Sequence, residues 1–225
     1  MQTQGARISL RGDGRLKACH IDVPADISSA TFFIVGTSIA HGSDLVLEHV
    51  GINPTRIGAL NILKLMGANI ELLNTREVGG EPVADIRVRA AKLRGIRIPE
   101  DQVPLAIDEF PAIFIAAACA EGETVLSGAH ELRVKESDRI AVMAQGLKHL
   151  GIDARETPDG IIIKGGQLQG GEIDSHGDHR IAMSFAIAGL VATGPVAVRD
   201  CKNVDTSFPG FVELAGRAGL SIRVL

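Results

Sequence analysis

The sequence predicts an α/β fold: a pseudo-threefold domain of three β-α-β-α-β-β units packed around buried helices. Three observations predict it. One layout occurs three times, with an opening Asp and a closing Gly at 26 and 67, at 108 and 151, and at 178 and 219. Self-similarity at a fixed spacing is the mark of repeated supersecondary units. Each copy holds an Ala-rich apolar run that lacks a polar face, and such a helix needs other elements around it to bury it. Between these runs lie segments with the period-2 patterning of strands.

In the first unit, strand-like stretches at Ile8–Leu10 and Leu16–Val23 lead to Asp26, which opens the apolar run I-S-S-A-T-F-F-I-V-G-T. A short strand is expected at Leu45–Leu47. Asn53 and Pro54 then start a second helix, since proline suits the first helical turn; Arg56 could reach an anion, but plain helix initiation is the favoured reading. The helix ends at L-M-G-A-N-I, with Gly67 where a left-handed residue is needed. A strand follows at Ala84–Val88. In the second unit Asp108 opens F-P-A-I-F-I-A-A-A-C, a strand covers Thr124–Leu126, and a helix starting at Glu136 or Ser137 runs to Gly151. Ile161–Lys164 is the next strand. In the third, Asp178 opens R-I-A-M-S-F-A-I-A, with strands at Val196–Val198 and Ser221–Val224 on either side of a helix closing at Gly219. With no Pro- or Ser-rich linker between copies, residues 1–225 read as one domain, with repeats at roughly 16–98, 99–173 and 174–225. The abrupt first strand and the missing final hairpin of the third copy lead us to expect a strand supplied from a longer parent chain.

Composition excludes several functions. The chain is 45% hydrophobic and has no Trp or Tyr and a net charge of −4. A nucleic-acid surface needs clustered cations and, for single strands, stacking aromatics. Three widely spaced cysteines form neither a disulfide framework nor a C-x-x-C zinc knuckle. No apolar stretch is long enough to span a bilayer. The expectation is a cytoplasmic protein that binds no nucleic acid and no membrane.

The residues able to do chemistry cluster at helix starts. In R-V-K-E-S-D-R (133–139), Lys135 and Glu136 precede a helix N-terminus, where backbone N–H groups and the dipole favour anions. The competing reading is a capped surface helix with local ion pairs. In H-G-D-H-R (176–180), Arg180 on the first turn of an apolar helix must direct its fork out of the helix end, toward a carboxylate or phosphate. His176 and His179 lack the partners that a metal site requires, and no metal is expected. Asp178 and Asp108 are each read as N-caps or functional acids, whereas Asp26 is read as a cap alone. If the helix openings of units two and three converge, Asp108, Lys135, Glu136, Arg139, His179 and Arg180 meet. Two acids among several cations suit proton transfer beside a bound phosphate.

R-V-K-E-S-D-R, D-H-R-I-A-M, I-D-E-F-P and T-S-F-P, in this order and spacing, resemble the enolpyruvyl transferase family and, within it, EPSP synthase, whose domains have the inverse α/β barrel architecture. The resemblance implies transfer of the carboxyvinyl group of phosphoenolpyruvate to the 5-hydroxyl of shikimate 3-phosphate, with no cofactor. By motif, Asp108 is the base on that hydroxyl and contacts the shikimate hydroxyls. Glu136 exchanges a proton with the phosphoenolpyruvate methylene, and Lys135 assists and contacts substrate. Arg139 and Arg180, with His179, hold phosphoenolpyruvate. Thr206 and Glu131 depart from members that carry Lys and Asn there, as in the subgroup described as less sensitive to glyphosate. The family's amino-terminal motifs, which hold most of the shikimate 3-phosphate, are not found, so the chain by itself is expected to fold without turning over substrate. The sister enzyme acting on UDP-N-acetylglucosamine and a non-catalytic scaffold of the same fold are the alternatives. K-E-S-D-R followed by D-H-R-I-A-M weighs against the first, and the intact acids and arginines against the second.

Overall fold

The computed structural model describes residues 2–12, 14–15 and 17–225. Its strands and helices, in chain order, are β1 (Gln2–Gln4), β2 (Arg7–Ser9), α1 (Ile27–Ile39), β3 (Asp44–Gly51), α2 (Gly58–Leu65), β4 (Asn69–Val78), β5 (Glu81–Arg89), α3 (Phe110–Ala118), β6 (Glu123–Leu126), α4 (Arg139–His149), β7 (Asp153–Thr157), β8 (Gly160–Lys164), β9 (Gly171–Asp174), α5 (His179–Ala188), β10 (Val196–Arg199), α6 (Lys202–Ser207) and α7 (Phe211–Arg217). Short 3-10 turns cover Glu100–Gln102 and His130–Val134.

The expected α/β architecture is what the chain adopts, and its sheets repeat with the units. Units one and two each hold a three-stranded antiparallel sheet, ordered β3-β5-β4 and β6-β8-β7. In every unit the segment leading into the buried helix also runs parallel to the strand leaving it. Ala25 bridges Val50, Arg94 and Arg97 bridge Glu121 and Val125, and β9 pairs with β10. Helices α1, α3 and α5 fill the centre. Every residue of α3 is buried, and only two of the thirteen in α1 are not. One continuous apolar core therefore joins the units. Burying each large aliphatic or aromatic side chain in it contributes about 1.5–3 kcal/mol.

The three closing glycines adopt the left-handed conformation that their spacing predicts, with φ of 94° at Gly67, 82° at Gly151 and 105° at Gly219. In each case the next residue's N–H reaches back to close the helix end, as Ala68 does to the Leu63 carbonyl. A Cβ at any of the three would be strained.

Four expectations are corrected. Leu16 lies outside the described residues, and residues 17–23 form no strand: they are exposed, without a sheet neighbour to satisfy their backbone. The helix of unit one begins at Gly58 rather than at Asn53 and Pro54. The Asn53 side chain instead accepts from the Thr55 N–H and hydroxyl, holding a turn in its own right. The α4 helix begins at Arg139, capped by Asp138, two to three residues later than expected. Residues 221–225 form no strand, because β9 and β10 pair only with one another.

Helices α4 and α5 approach closely at Gly146, where an added Cβ would enter the buried Phe185 ring. Gly→Ala inside a helix ordinarily stabilises by about 0.5–1 kcal/mol, but overpacking a rigid core costs about 1–3 kcal/mol. The clash decides the sign. Gly146→Ala is expected to lower the urea midpoint with an unchanged m-value, whereas Gly216→Ala, with open space around it, should hold or raise it.

Candidate active site

Packing α1, α3 and α5 together brings their N-terminal ends to one side of the molecule. There the sequence supplies short polar openings: Asp26-Ile-Ser-Ser, Asp108-Glu-Phe-Pro and Asp178-His-Arg. Asp26 is an ordinary cap, accepting from the Ser28 and Ser29 N–H groups. Asp178 is a cap and more. It accepts from the Arg180 and Ile181 N–H groups while fully buried, and it also receives Arg139 Nε at 2.8 Å and the Ser137 hydroxyl at 3.1 Å. Burial pushes the Asp178 carboxyl up, yet Arg139 and the N–H donors outweigh it and hold the group below the usual carboxylate range.

Arg139 is the centre of the arrangement. Its side chain is 1% exposed, and its planar fork faces three acids. Nε meets Asp178, Nη2 donates to Glu136 at 2.6 Å, and Nη1 lies 3.7 Å from Asp108 Oδ1. Nη1 is buried without a hydrogen-bond partner. A buried guanidinium N–H lacking an acceptor is unfavourable, and here it marks a place where an anionic oxygen would bind well.

Asp108 is not the cap of α3, which starts two residues later at Phe110. Its carboxylate is therefore available to other groups. Lys135 Nζ stands 3.2 Å from Oδ1, and Arg180 Nη1 donates to its backbone carbonyl at 3.2 Å. Burial raises the Asp108 pKa, but Lys135, Arg180 and Arg139 more than reverse this, so the group stays a carboxylate at neutral pH. His179 is half-buried, and burial together with Arg180 lowers its pKa despite Asp178 and Glu136, leaving a neutral imidazole at pH 7. Lys135 is also bound by Glu131. Thr206 lies exposed in α6.

Glu136, Arg139, Asp108 and Arg180 thus form one connected rim, with Lys135 and His179 against it. The structure brings together all six residues singled out from the motifs. It adds three more. Arg56, read from sequence as helix initiation, extends from the turn before α2 to the Ser28 hydroxyl at 2.8 Å and to within 3.9 Å of Asp108. Glu109 and Ser28 complete its surroundings. The only sequence signal for them was Arg56 in N-P-T-R and the acidic pair at 108–109. Among the described residues, no group of three or more His, Cys, Asp or Glu side chains is placed to hold a metal ion, and no helix is long and apolar enough to cross a membrane.

Three α/β units around buried helices, with guanidinium and carboxylate groups at the shared helix openings, define a domain of the inverse α/β barrel class. The family model described as EPSP synthase (3-phosphoshikimate 1-carboxyvinyltransferase) matches residues 1–214, and the chain belongs to the EPSP synthase family. It is 67% identical over 223 residues to the 3-phosphoshikimate 1-carboxyvinyltransferase of Nitrosococcus oceani, covering 99% of this chain and 50% of that protein. The Coxiella burnetii protein of the same name is 57% identical, again over 99% of this chain and 51% of its own length. A solved EPSP synthase structure from Acinetobacter baumannii superposes with a TM-score of 0.96 at 61% identity, over 99% of this chain and 52% of that one. The chain spans about half the length of the curated relatives it matches.

Proposed function

We propose that this chain supplies the reacting-centre half of an EPSP synthase. The reaction transfers the carboxyvinyl group of phosphoenolpyruvate to the 5-hydroxyl of shikimate 3-phosphate and releases phosphate. One observation carries the reading: Arg139 is buried among Asp178, Glu136 and Asp108, with Nη1 left without a hydrogen-bond partner 3.7 Å from Asp108 Oδ1. The donors of a purely structural buried arginine are usually paired. A small phosphorylated acid offers the oxygen that Nη1 lacks.

Each group then takes the role that its family motif implies, and its position in the rim is compatible with that role. Arg139 and Arg180 hold the carboxylate and phosphate of phosphoenolpyruvate, with neutral His179 beside them. Asp108, ionised at neutral pH, accepts the proton of the 5-hydroxyl as its oxygen attacks C2. Glu136, half-exposed at the rim, delivers a proton to the C3 methylene, giving a tetrahedral adduct. It then takes a proton back from the resulting methyl group as phosphate departs and the double bond reforms. Lys135 offsets negative charge at Asp108 and at the adduct. Fixed cations aimed at developing charge supply most of such an acceleration.

The test is a chimera in which this chain replaces the matching half of the Nitrosococcus oceani relative. It is expected to release phosphate only when phosphoenolpyruvate and shikimate 3-phosphate are both present, while the 225-residue chain alone should release none. A folded chimera that is inert with this pair, or that prefers UDP-N-acetylglucosamine as acceptor, would refute the assignment.

A further inference from the structure

Glu109 takes no part in these steps, yet it is among the most deeply buried acids of the protein. It follows Asp108 but turns inward, its side chain only 2% exposed, and although it stands at the N-cap of α3 it caps no N–H group. Its carboxylate meets three groups from three other segments. The Ser28 hydroxyl of α1 donates to it, Arg56 Nη2 lies 3.7 Å away, and Arg180 Nη1 of α5 lies 3.9 Å away. Arg56 also donates to Ser28 Oγ at 2.8 Å, so Ser28 links the two charges.

Burying a carboxylate is unfavourable unless it is paired. Here burial pushes the Glu109 pKa up and neighbouring Asp108 adds to this, against Ser28, Arg180 and Arg56. A glutamine would keep the Ser28 contact without that penalty, so stability alone gives no reason for an acid at this position. What a charge adds is a fixed point between two guanidinium groups. Arg180 Nη1 donates to the Asp108 carbonyl at 3.2 Å and lies 3.9 Å from the Glu109 carboxylate, so both neighbours act on the same nitrogen. Arg56 spans from Glu109 to the Asp108 carboxylate.

We propose that Glu109 and Arg56 are positioning residues of the rim: Glu109 holds the Arg180 guanidinium in its binding orientation, and Arg56 ties the same network to Asp108. The inference rests on the transferase reading above and extends it to unit one, through Arg56 and Ser28.

In the chimera, Glu109→Gln is expected to lower kcat/KM for phosphoenolpyruvate about 10–100-fold, the scale on which small misplacements of a binding group act, with Tm unchanged or higher. Arg56→Ala should show a similar loss and Arg56→Lys an intermediate one. Combined with Arg180→Lys, Glu109→Gln should add little further loss, since groups acting through one another are not additive. Multiplicative losses, or a loss that follows a fall in Tm, would overturn the proposal. Should the unsubstituted chimera be inactive, the transferase reading fails separately. The pair is then judged in the 225-residue chain by the Arg180 Nε–H resonance in arginine-labelled protein. That signal should shift or broaden on Glu109→Gln, and an unmoved resonance would overturn the pair.

Discussion

Asp178→Ala is expected to be the most destabilising single exchange at the rim, by about 3–5 kcal/mol, the usual cost of breaking a buried ion pair from one side. The exchange strands Arg139, which is 1% exposed and takes its strongest buried partner from Asp178. It also removes the cap of α5, since Asp178 accepts from the Arg180 and Ile181 N–H groups. Asp178→Asn separates the two effects, because asparagine caps as well as aspartate but carries no charge. Urea midpoints of both variants should fall, alanine further than asparagine. The pH dependence has a definite sign. Folding lowers the Asp178 pKa, so its contribution is present above the unfolded value of about 4 and is lost as pH falls through the folded one. The gap between wild type and Asp178→Asn should therefore close only in strong acid. A gap of equal size at pH 2 and pH 7 would show that Asp178 acts through shape rather than charge.

Arg139→Lys should abolish most of the activity of the chimera although it keeps the positive charge. The three nitrogens of Arg139 together face three acids, with Nε and Nη2 both on Asp178, and an ammonium on a flexible stem cannot reproduce that fork. The expected fall in kcat/KM is about 10²–10³-fold, the loss seen when one preorganised donor at a reacting centre is removed. It should appear in kcat as well as in KM, because Arg139 orients Glu136 as well as binding anion. A variant with normal kcat and raised KM would reduce Arg139 to a ground-state binding group.

The sequence was legible where local chemistry dictates geometry. Gly67, Gly151 and Gly219 could be assigned left-handed backbone because each closes a helix end, and all three have it. The strands at 45–47, 84–88, 124–126, 161–164 and 196–198 lie within β3, β5, β6, β8 and β10, since period-2 patterning is a one-dimensional property. Legibility failed where a residue's partner is remote. Arg56 sits beside Asn53 and Pro54, which suit a helix start, and nothing nearby in the chain betrays that Ser28 and Glu109 await it. Asp108 could be read equally as a cap or as a functional acid, because it precedes an apolar helix. The tertiary structure starts that helix two residues later and turns Asp108 toward Lys135.

By itself, then, the sequence determined the threefold repeat, the buried helices and the motif residues at their openings, all consequences of spacing and polarity along the chain. Only the tertiary structure decided that Arg139 would be enclosed by three acids, that Asp178 would serve as cap and counter-ion together, that Glu109 would turn inward, and that Arg56 would reach the rim from unit one. Charge pairing acts over a few ångströms of space regardless of sequence separation. It becomes visible only once α1, α3 and α5 have packed their N-terminal ends together.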